Sequence, residues 1–364
     1  MNPFTTYYHP DFFCDRENEM TQLKGNLENG LNTLIHSPRR LGKSALIKHL
    51  FHHLEQEKEY ETLFIDLFAT AKTEDLLRSL AETILKKYHS KNIIQGIKTL
   101  LKGITPTITF AHDGTPSISL GLKEGQQETT MSHLFDFLEK RKNKVVVAFY
   151  EFQEVATYPE KAEAMLRTYS QKLSNVRFIY SGSTNHLLQN MFYSASRPFY
   201  QSSEVLILEK ISRGAYYNFI DSNFTRSNKE IEPAAIEQIL DFTDCYTYYT
   251  QVICNQAYYK TDQKLTAKST EALVKNYLDN RKIDYINLYN LLSENQKKVA
   301  IAIAKQGIVT KPTSIEFLMK FNLPSASSTL QAVNTLHEKE ILYKLPEGLI
   351  IYDIFFRRFL EFYF

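Results

Sequence analysis

Five short, largely apolar runs constrain the fold more than any other feature of this 364-residue sequence. The runs occupy residues 33–35, 63–67, 145–149, 178–180 and 205–208, and the segments between them have helical patterns. Consecutive apolar residues bury side chains on both faces of a strand, as a parallel sheet between two layers of helices requires. The sequence therefore predicts a doubly wound α/β domain over residues 1–210.

Two further features complete this predicted first domain. Residues 15–30 carry apolar side chains at helical spacing and end on Gly30, a residue type that suits the position just after a helix. Polar and apolar residues alternate on both sides of the turn-forming pair Asp113-Gly114. This alternation predicts an inserted antiparallel hairpin near residues 105–122.

The pattern changes after residue 211, where strand-like runs nearly disappear and helical periodicity continues to about residue 290. We therefore predict a second, all-helical domain at 211–290. The rest of the sequence predicts three helices followed by two strands, and this arrangement is typical of a winged helix. The predicted helices are 293–306, 313–321 and 325–339, and the predicted strands are 341–343 and 349–352. The third domain is accordingly a winged helix at 291–364.

Charge and cysteine content exclude several classes of protein. Forty-three basic and 41 acidic residues give a formal charge of +2, which predicts no strong electrostatic field toward nucleic acid. Three cysteines without Cys-x-x-Cys spacing indicate neither a disulfide framework nor a zinc site. The sequence shows no signal peptide and no run of about 18 apolar residues, so we expect a cytoplasmic protein without a membrane partner.

The strand predicted at 33–35 leads into a candidate phosphate-binding loop. The loop consists of Ser37, Pro38, Arg39, Arg40, Leu41, Gly42, Lys43 and Ser44. A P-loop has a Gly, four variable residues and Gly-Lys-Ser/Thr, so that backbone N–H groups surround the phosphates while the lysine and the hydroxyl complete the site. Ser37 replaces the first Gly, which a small residue can do at negative φ. The alternative is a chance Gly-Lys-Ser between a strand and a helix.

An ordered series of motifs resembles a known family. The motifs are Asn2-Pro3-Phe4, Phe13-Cys14-Asp15-Arg16-Glu17-Asn18-Glu19, the loop from Ser37 to Ser44, Tyr150-Glu151-Phe152-Gln153-Glu154-Val155, Tyr180-Ser181-Gly182-Ser183 and Arg197-Pro198-Phe199-Tyr200. Together they look like the archaeal-type ATPases of the STAND/AAA+ superfamily, with a Bacteroidetes-like branch as the nearest match. The resemblance implies an ATP-binding core, a helical lid and a C-terminal winged helix.

The same resemblance implies a role for individual residues at the phosphate loop. Lys43 would contact the β and γ phosphates of ATP, and Ser44 would ligate Mg²⁺. Asp15 and Arg16 would lie near the adenine. Ser183, at the end of the fourth core strand, would sense the γ-phosphate.

Three arginines have two interpretations each. Arg197 is the candidate arginine finger, because a planar guanidinium can offset charge that builds on the phosphoryl oxygens. An ordinary ion pair is the alternative for this residue. Arg39 and Arg40 would lie close to the phosphates, or else project into solvent from the loop.

The chain departs from the family pattern at the end of the strand 145–149. The family has Asp-Glu there, in which the aspartate orients Mg²⁺ and the glutamate polarises the attacking water, whereas this chain has Tyr150-Glu151. A neutral phenol does not provide the carboxylate that Mg²⁺ favours. We therefore expect ATP binding with slow or impaired hydrolysis. Asp66 and Glu154 are the alternative carboxylates that could approach the metal.

The winged helix raises the question of nucleic-acid binding. Its candidate recognition helix, residues 325–334, presents hydroxyls and amides but has no arginine. Phosphate contacts dominate affinity for DNA, so DNA is a less favoured partner than another protein or a second copy of the chain.

Three functions remain open from the sequence. The first is an ATP-binding switch, the second is an active oligomeric ATPase that uses Arg197 in trans, and the third is a DNA-binding regulator with vestigial nucleotide binding.

Overall fold

A computed structural model describes residues 1–88, 105–110, 116–121, 126–159, 161–183 and 186–364. The chain forms two compact units. Residues 7–210 make the first unit. The second unit consists of residues 211–364 together with residues 1–6.

Seven strands are described in the first unit. They are β1 (Thr33–Ser37), β2 (Tyr60–Asp66), β3 (Thr105–Phe110), β4 (Pro116–Gly121), β5 (Lys144–Tyr150), β6 (Val176–Ser183) and β7 (Glu204–Ile207). Five of them form one sheet in the order β2-β5-β6-β1-β7, and every pairing between neighbours is parallel. This sheet confirms the five predicted core strands and the α/β fold class.

Helices pack around this sheet. They are α1 (Glu17–Glu28), α2 (Lys43–Glu57), α3 (Thr73–Lys87), α4 (Gln127–Glu139), α5 (Ala162–Lys172) and α6 (His186–Tyr193), with short 3-10 helices at Pro10–Phe12 and Phe152–Thr157. Leu34, Leu63, Val147 and Phe178 are almost completely buried in the sheet. Their burial accounts for the apolar runs in the sequence, because side chains on both faces of these strands are covered.

The hairpin predicted near 105–122 is confirmed as an antiparallel pair. Strands β3 and β4 pair in a register that places Thr105 opposite Gly121 and Phe110 opposite Pro116. The predicted turn at Asp113-Gly114 lies outside the described residues.

The second unit begins with a group of helices. They are α7 (Arg213–Arg226), α8 (Pro233–Thr243), α9 (Thr247–Lys260), α10 (Ala267–Asn280) and α11 (Lys282–Asn290). Two strands of two residues each, β8 (Glu230–Ile231) and β9 (Lys264–Leu265), pair in parallel between these helices. This small pair has no signal in the sequence, since two residues are too few to show alternation.

The winged helix follows in the predicted order. It contains α12 (Glu294–Gln306), α13 (Ile315–Lys320), α14 (Ala326–Glu338), β10 (Leu342–Leu345), β11 (Gly348–Ile351) and α15 (Ile354–Tyr363). Leu345 pairs with Gly348, so both strands extend closer to the turn than predicted and two residues, Pro346 and Glu347, connect them. Val309 also exchanges two backbone hydrogen bonds with Leu349, at 2.9 and 2.8 Å. Ser293 and Gln296 form a capping box that fixes the start of α12.

Helix α15 packs onto the helices of the same unit. The Phe355 ring lies 4.6 Å from Tyr249 of α9 and 4.7 Å from Tyr277 of α10, measured between centroids. Arg358 donates through Nε to the carbonyl of Phe242, at the end of α8, at 2.9 Å. The aromatic residues near 245–259 therefore contribute to packing within the unit. Among the described helices, none combines the length and apolar character needed to cross a membrane.

Candidate functional site

The candidate phosphate loop connects β1 to α2 in the structure. Ser37 is the last residue of β1 and Lys43 is the first residue of α2. Gly42 and Arg40 have left-handed backbones, with φ of 96° and 69°. Glycine adopts this conformation without steric cost, which explains why a Gly precedes the lysine. The strand, loop and helix order expected for a P-loop is thus present.

The side chain of Lys43 lies at the base of this loop. Only 5% of the residue is exposed. Its Nζ donates to the carbonyl of Pro38 at 3.0 Å and to the carbonyl of Ser37 at 3.3 Å. Burial lowers the pKa of Lys43 to about 8; Glu151 opposes this shift, and Arg39 adds to it. The lysine, Glu151 and Arg39 are therefore near enough to interact electrostatically.

The end of β6 brings two serines beside the loop. Ser183 is the register partner of Ser37 in the neighbouring strand, and it is 2% exposed. The hydroxyl oxygens of Ser183 and of Ser181 have no hydrogen-bond partner among the described residues. Polar groups at the carboxyl end of parallel strands are the usual location of ligand sites in open α/β sheets.

Tyr150 and Glu151 follow at the end of β5. The Tyr150 ring stacks on Phe64, with centroids 5.8 Å apart. Burial, the nearby charge of Glu151 and a hydrogen bond with that carboxylate raise the pKa of the Tyr150 phenol. Asp66 is the register partner of Tyr150 at the end of β2, and it also contributes to the raised pKa. The phenol is consequently neutral at pH 7.

The donor atoms at this position meet the requirements of Mg²⁺ only in part. The family pattern requires a hydroxyl from the loop and a carboxylate at the end of β5. The Ser44 hydroxyl is suitable, but a neutral Tyr150 phenol does not replace a carboxylate for a hard cation. Asp66 is exposed and accepts a hydrogen bond from the backbone N–H of Phe68 at 3.0 Å, one strand further from the loop. Of the two donors in the family pattern, only the Ser44 hydroxyl is therefore present, while Glu154, the other alternative carboxylate, accepts a hydrogen bond from Gln153 Nε2 at 3.2 Å.

Arg16 lies against the loop from the side of α1. Asp15 and Arg16 both have left-handed backbones, with φ of 60° and 87°. Arg16 is buried, and its Nη2 donates to the carbonyl of Leu41 at 3.4 Å and to that of Glu209 at 2.7 Å. The structure thus places Arg16 beside the phosphate loop and leaves Asp15 exposed.

Arg197 forms an ion pair within the first unit. Its Nη2 donates to the Glu163 carboxylate of α5, whose side chain is 10% exposed. Burial raises the pKa of Glu163, while the Arg197 charge opposes that shift. This contact is the ordinary ion pair that was the alternative to an arginine finger. A role as arginine finger in a second copy of the chain stays a prediction.

Two residues near Glu151, Gln153 and Gly182, lie within the motifs of the family resemblance but have no role predicted from the sequence. Gln153 is 2% exposed, and its Nε2 donates to Glu151 Oε2 at 2.6 Å. Gly182 lies against the other side of the same amide. The available signals were weak: a Gly inside a strand indicates close approach by another group. A buried Gln two residues after a strand end carries no comparable signal.

A parallel five-stranded sheet, with Gly42 directly before α2 and with Lys43 and Ser44 in the first turn of that helix, defines the fold of P-loop NTPases. The comparison with known families agrees. A model described as an ATPase domain predominantly from Archaea matches residues 13–251, and one described as a probable winged helix domain matches residues 283–362. This chain belongs to that family of archaeal-type ATPase domains.

Solved structures share the complete fold. A Walker-type ATPase of Pyrococcus abyssi aligns over 98% of this chain and 99% of its own, with a TM-score of 0.67 and 16% identity. The ORC2 protein of Aeropyrum pernix, solved as ADPNP and ADP complexes, aligns over 99% and 96%, with a TM-score of 0.63 and 13% identity. The ORC1 protein of the same organism, solved with DNA, aligns over 96% and 94%, with a TM-score of 0.53 and 10% identity. No curated protein matches this sequence significantly.

Proposed function

We propose that this chain binds ATP through the loop from Ser37 to Ser44. The observation that carries the proposal is the buried Lys43 ammonium at the base of a loop whose backbone turns through Arg40 and Gly42. A bound phosphate would replace the Pro38 and Ser37 carbonyls as the partner of the ammonium. The N-terminus of α2 adds backbone N–H groups and a favourable dipole. Support also comes from the nucleotide complexes of the ORC2 protein.

The other predicted residues have complementary roles in this proposal. The backbone from Pro38 to Leu41 surrounds the phosphates, and Arg39 adds positive charge close to Lys43. The Ser183 hydroxyl, which has no hydrogen-bond partner among the described residues, would donate to a γ-phosphate oxygen. Asp15 and Arg16 would border the adenine, with Arg16 also fixing Leu41. Ser44 would ligate Mg²⁺, which the nucleotide would also hold.

Slow hydrolysis is the second part of the proposal. Tyr150 provides no carboxylate at the metal position, and Glu151 remains as the group that would polarise water. A nucleotide that is bound but slowly hydrolysed suits a switch of the STAND type. In such a switch the nucleotide would fix the position of the winged helix, at 291–364, through a helical lid at 211–290.

Nucleotide affinity tests the assignment of the loop. Lys43→Ala should weaken ATP binding by at least tenfold, because it removes the cation that faces the β and γ phosphates. Lys48→Ala is the matched control, since Lys48 is an exposed lysine on the same helix. Isothermal titration of both variants and the parent measures the effect. Equal affinity in Lys43→Ala and the parent would show that the loop is not the nucleotide site.

An oligomeric ATPase is the second candidate function. In such an oligomer, Arg197 would leave its ion pair with Glu163 and contact the nucleotide bound to a second copy of the chain. Turnover per chain that rises with protein concentration, and is lost in Arg197→Ala but retained in Glu163→Gln, would favour this function. Turnover independent of concentration would count against it.

DNA binding is the third candidate and is favoured only by the ORC1 protein solved with DNA. Helix α14 exposes Ser327, Gln331 and Asn334, but it has no Lys or Arg between its ends. Phosphate contacts would have to come from other parts of the winged helix. A gel shift at low salt without ATP would detect such binding.

A further inference from the structure

A buried amide contacts Glu151 directly. Gln153 Nε2 lies 2.6 Å from Glu151 Oε2 and 3.2 Å from Glu154 Oε1. Carboxylates only accept hydrogen bonds, so the amide must direct its NH₂ group toward them. Its carbonyl oxygen, Oε1, consequently faces the opposite side, where it has no hydrogen-bond partner among the described residues.

The carbonyl side of this amide is packed against Gly182. A Cβ atom placed on Gly182 would lie 2.1 Å from Gln153 Oε1 and 3.3 Å from its Cδ. Such a distance is far below van der Waals contact, so any larger residue at 182 would displace the amide. Gly182 therefore determines where the Gln153 side chain can lie.

The backbone of Glu151 is held in an uncommon conformation. Glu151 has φ of 55° and ψ of 46°, and it caps the 3-10 helix Phe152–Thr157. Non-glycine residues rarely adopt this left-handed conformation, and such outliers concentrate at functional positions. Glu151 is 8% exposed. One of its carboxylate oxygens, Oε2, thus accepts a hydrogen bond from a buried donor.

We propose that Gln153, held in place by Gly182, restrains Glu151 and limits ATP hydrolysis. The inference rests on the proposed function. In hydrolysis a water oxygen bonds to the γ-phosphorus, the bond to the bridging oxygen breaks with its electron pair leaving on ADP, and a water proton moves to a carboxylate. With Oε2 of Glu151 held by the Gln153 amide, that contact must break before this oxygen can take the water proton. Gln153 is therefore a positioning residue that acts through Glu151.

Two different substitutions should release Glu151. Gln153→Ala removes the donor, and Gly182→Ala displaces it. Each should raise the kcat of ATP hydrolysis about tenfold, the equivalent of one hydrogen bond to a charged group, with KM and ATP affinity unchanged within twofold. The double variant should show no more gain than the larger single one, because both changes remove the same contact.

Stability gives an independent readout of the same contact. Gly182→Ala alone should lower the melting temperature, and adding Gln153→Ala should restore part of the loss, because the obstructing amide is gone. Gly25→Ala is the control for the glycine, since its added Cβ meets nothing within 4 Å. If Gly182→Ala fails to fold, Gln153→Ala still tests the proposal.

The gain in turnover must depend on Glu151. In a Glu151→Gln background, Gln153→Ala should have no effect on kcat. A kcat in Gln153→Ala equal to or below that of the parent, or a gain that persists in Glu151→Gln, would overturn the restraint. Absence of ATP binding in the parent would instead overturn the proposed function, so the two failures are distinguishable.

Discussion

Arg16 and Glu209 are joined by a hydrogen bond of 2.7 Å between the guanidinium Nη2 and the backbone carbonyl, although they lie at opposite ends of the first unit in sequence. The same guanidinium donates to Leu41 of the phosphate loop at 3.4 Å and to the Glu19 carboxylate at 2.6 Å. One buried cation therefore connects α1, the phosphate loop and the segment after β7.

Arg16→Ala should lower the free energy of unfolding of the first unit by about 2–4 kcal/mol, because it leaves two carbonyls and a carboxylate without their donor. Urea unfolding of the full chain measures the change. Lys24→Ala is the control, since Lys24 forms an exposed pair with Glu57 and should cost less than about 1 kcal/mol. Equal effects of the two substitutions would contradict the role of Arg16.

The stability of the chain should depend on pH through His49. Burial, followed by the nearby His53 and His52, lowers the pKa of His49 to about 4. Phe13 stacks on its ring at 3.9 Å, and His53 Nε2 lies 3.2 Å from His49 Nε2. Between about pH 6.5 and pH 4 the unfolded chain binds a proton at His49 that the folded chain does not. The contribution of His49 to stability is therefore present above pH 6.5 and is lost as the pH falls toward 4.

His49→Gln should reduce this loss of stability on acidification. Thermal melts from pH 7 to pH 4.5 give the slope for the parent and the variant. His337→Gln provides the matched control, because His337 is exposed on α14. An unchanged slope in His49→Gln would assign the acid sensitivity to other groups.

The N-terminal residues belong to the second unit through Phe4. This ring is 1% exposed and lies 5.8 Å from Phe219 and 5.7 Å from Phe224, measured between centroids. Asn2 Nδ2 donates to the carbonyl of Asn255 at 3.1 Å, and the backbone N–H of Phe4 donates to Asn2 Oδ1 at 3.0 Å. Asn2 thus positions Phe4 for burial.

Phe4→Ala should destabilise the second unit by about 3–5 kcal/mol, the usual cost of removing a buried aromatic ring. Hydrogen exchange of the amides in α7 and α9 gives a local measurement. Phe362→Ala is the control, because Phe362 is 56% exposed and should have an effect within about 0.5 kcal/mol. Retained protection in α7 and α9 after Phe4→Ala would rule out this contribution.

Tyr150→Asp should raise ATP turnover about a hundredfold, corresponding to about 3 kcal/mol of electrostatic stabilisation. The new carboxylate would lie close to Glu151 and Asp66, so a cation is needed to offset the three negative charges. The gain should therefore require Mg²⁺ and disappear in EDTA. Steady-state turnover with and without Mg²⁺ measures both effects.

Tyr150→Phe separates the loss of the phenol from the gain of a carboxylate. It keeps the ring that stacks on Phe64 and removes the hydroxyl, so it should not reproduce the Mg²⁺-dependent gain. A hundredfold increase in Tyr150→Phe would show that the missing carboxylate does not limit turnover in the parent.

The sequence by itself determined the sheet, the loop and the winged helix. Buried parallel strands require continuous apolar runs, such as the one that ends at Phe149, and a phosphate loop requires Gly42 and Lys43 at a fixed spacing. Both are local requirements, so they are visible in the order of residues. The winged helix was also predictable, because its helices and its hairpin are short elements that lie close together in sequence.

Only the tertiary structure decided which distant residues meet. The contact of Arg16 with Glu209, the burial of Phe4 in the second unit and the closeness of Gln153 to Gly182 each join segments with no shared periodicity. The pairing of Ser37 with Ser183 likewise depends on strand order, which local patterns do not encode. Each of these contacts joins residues that come together only when the whole chain has folded. A buried polar group needs a hydrogen-bond partner, but the spacing of residues in the sequence does not specify which residue that partner is.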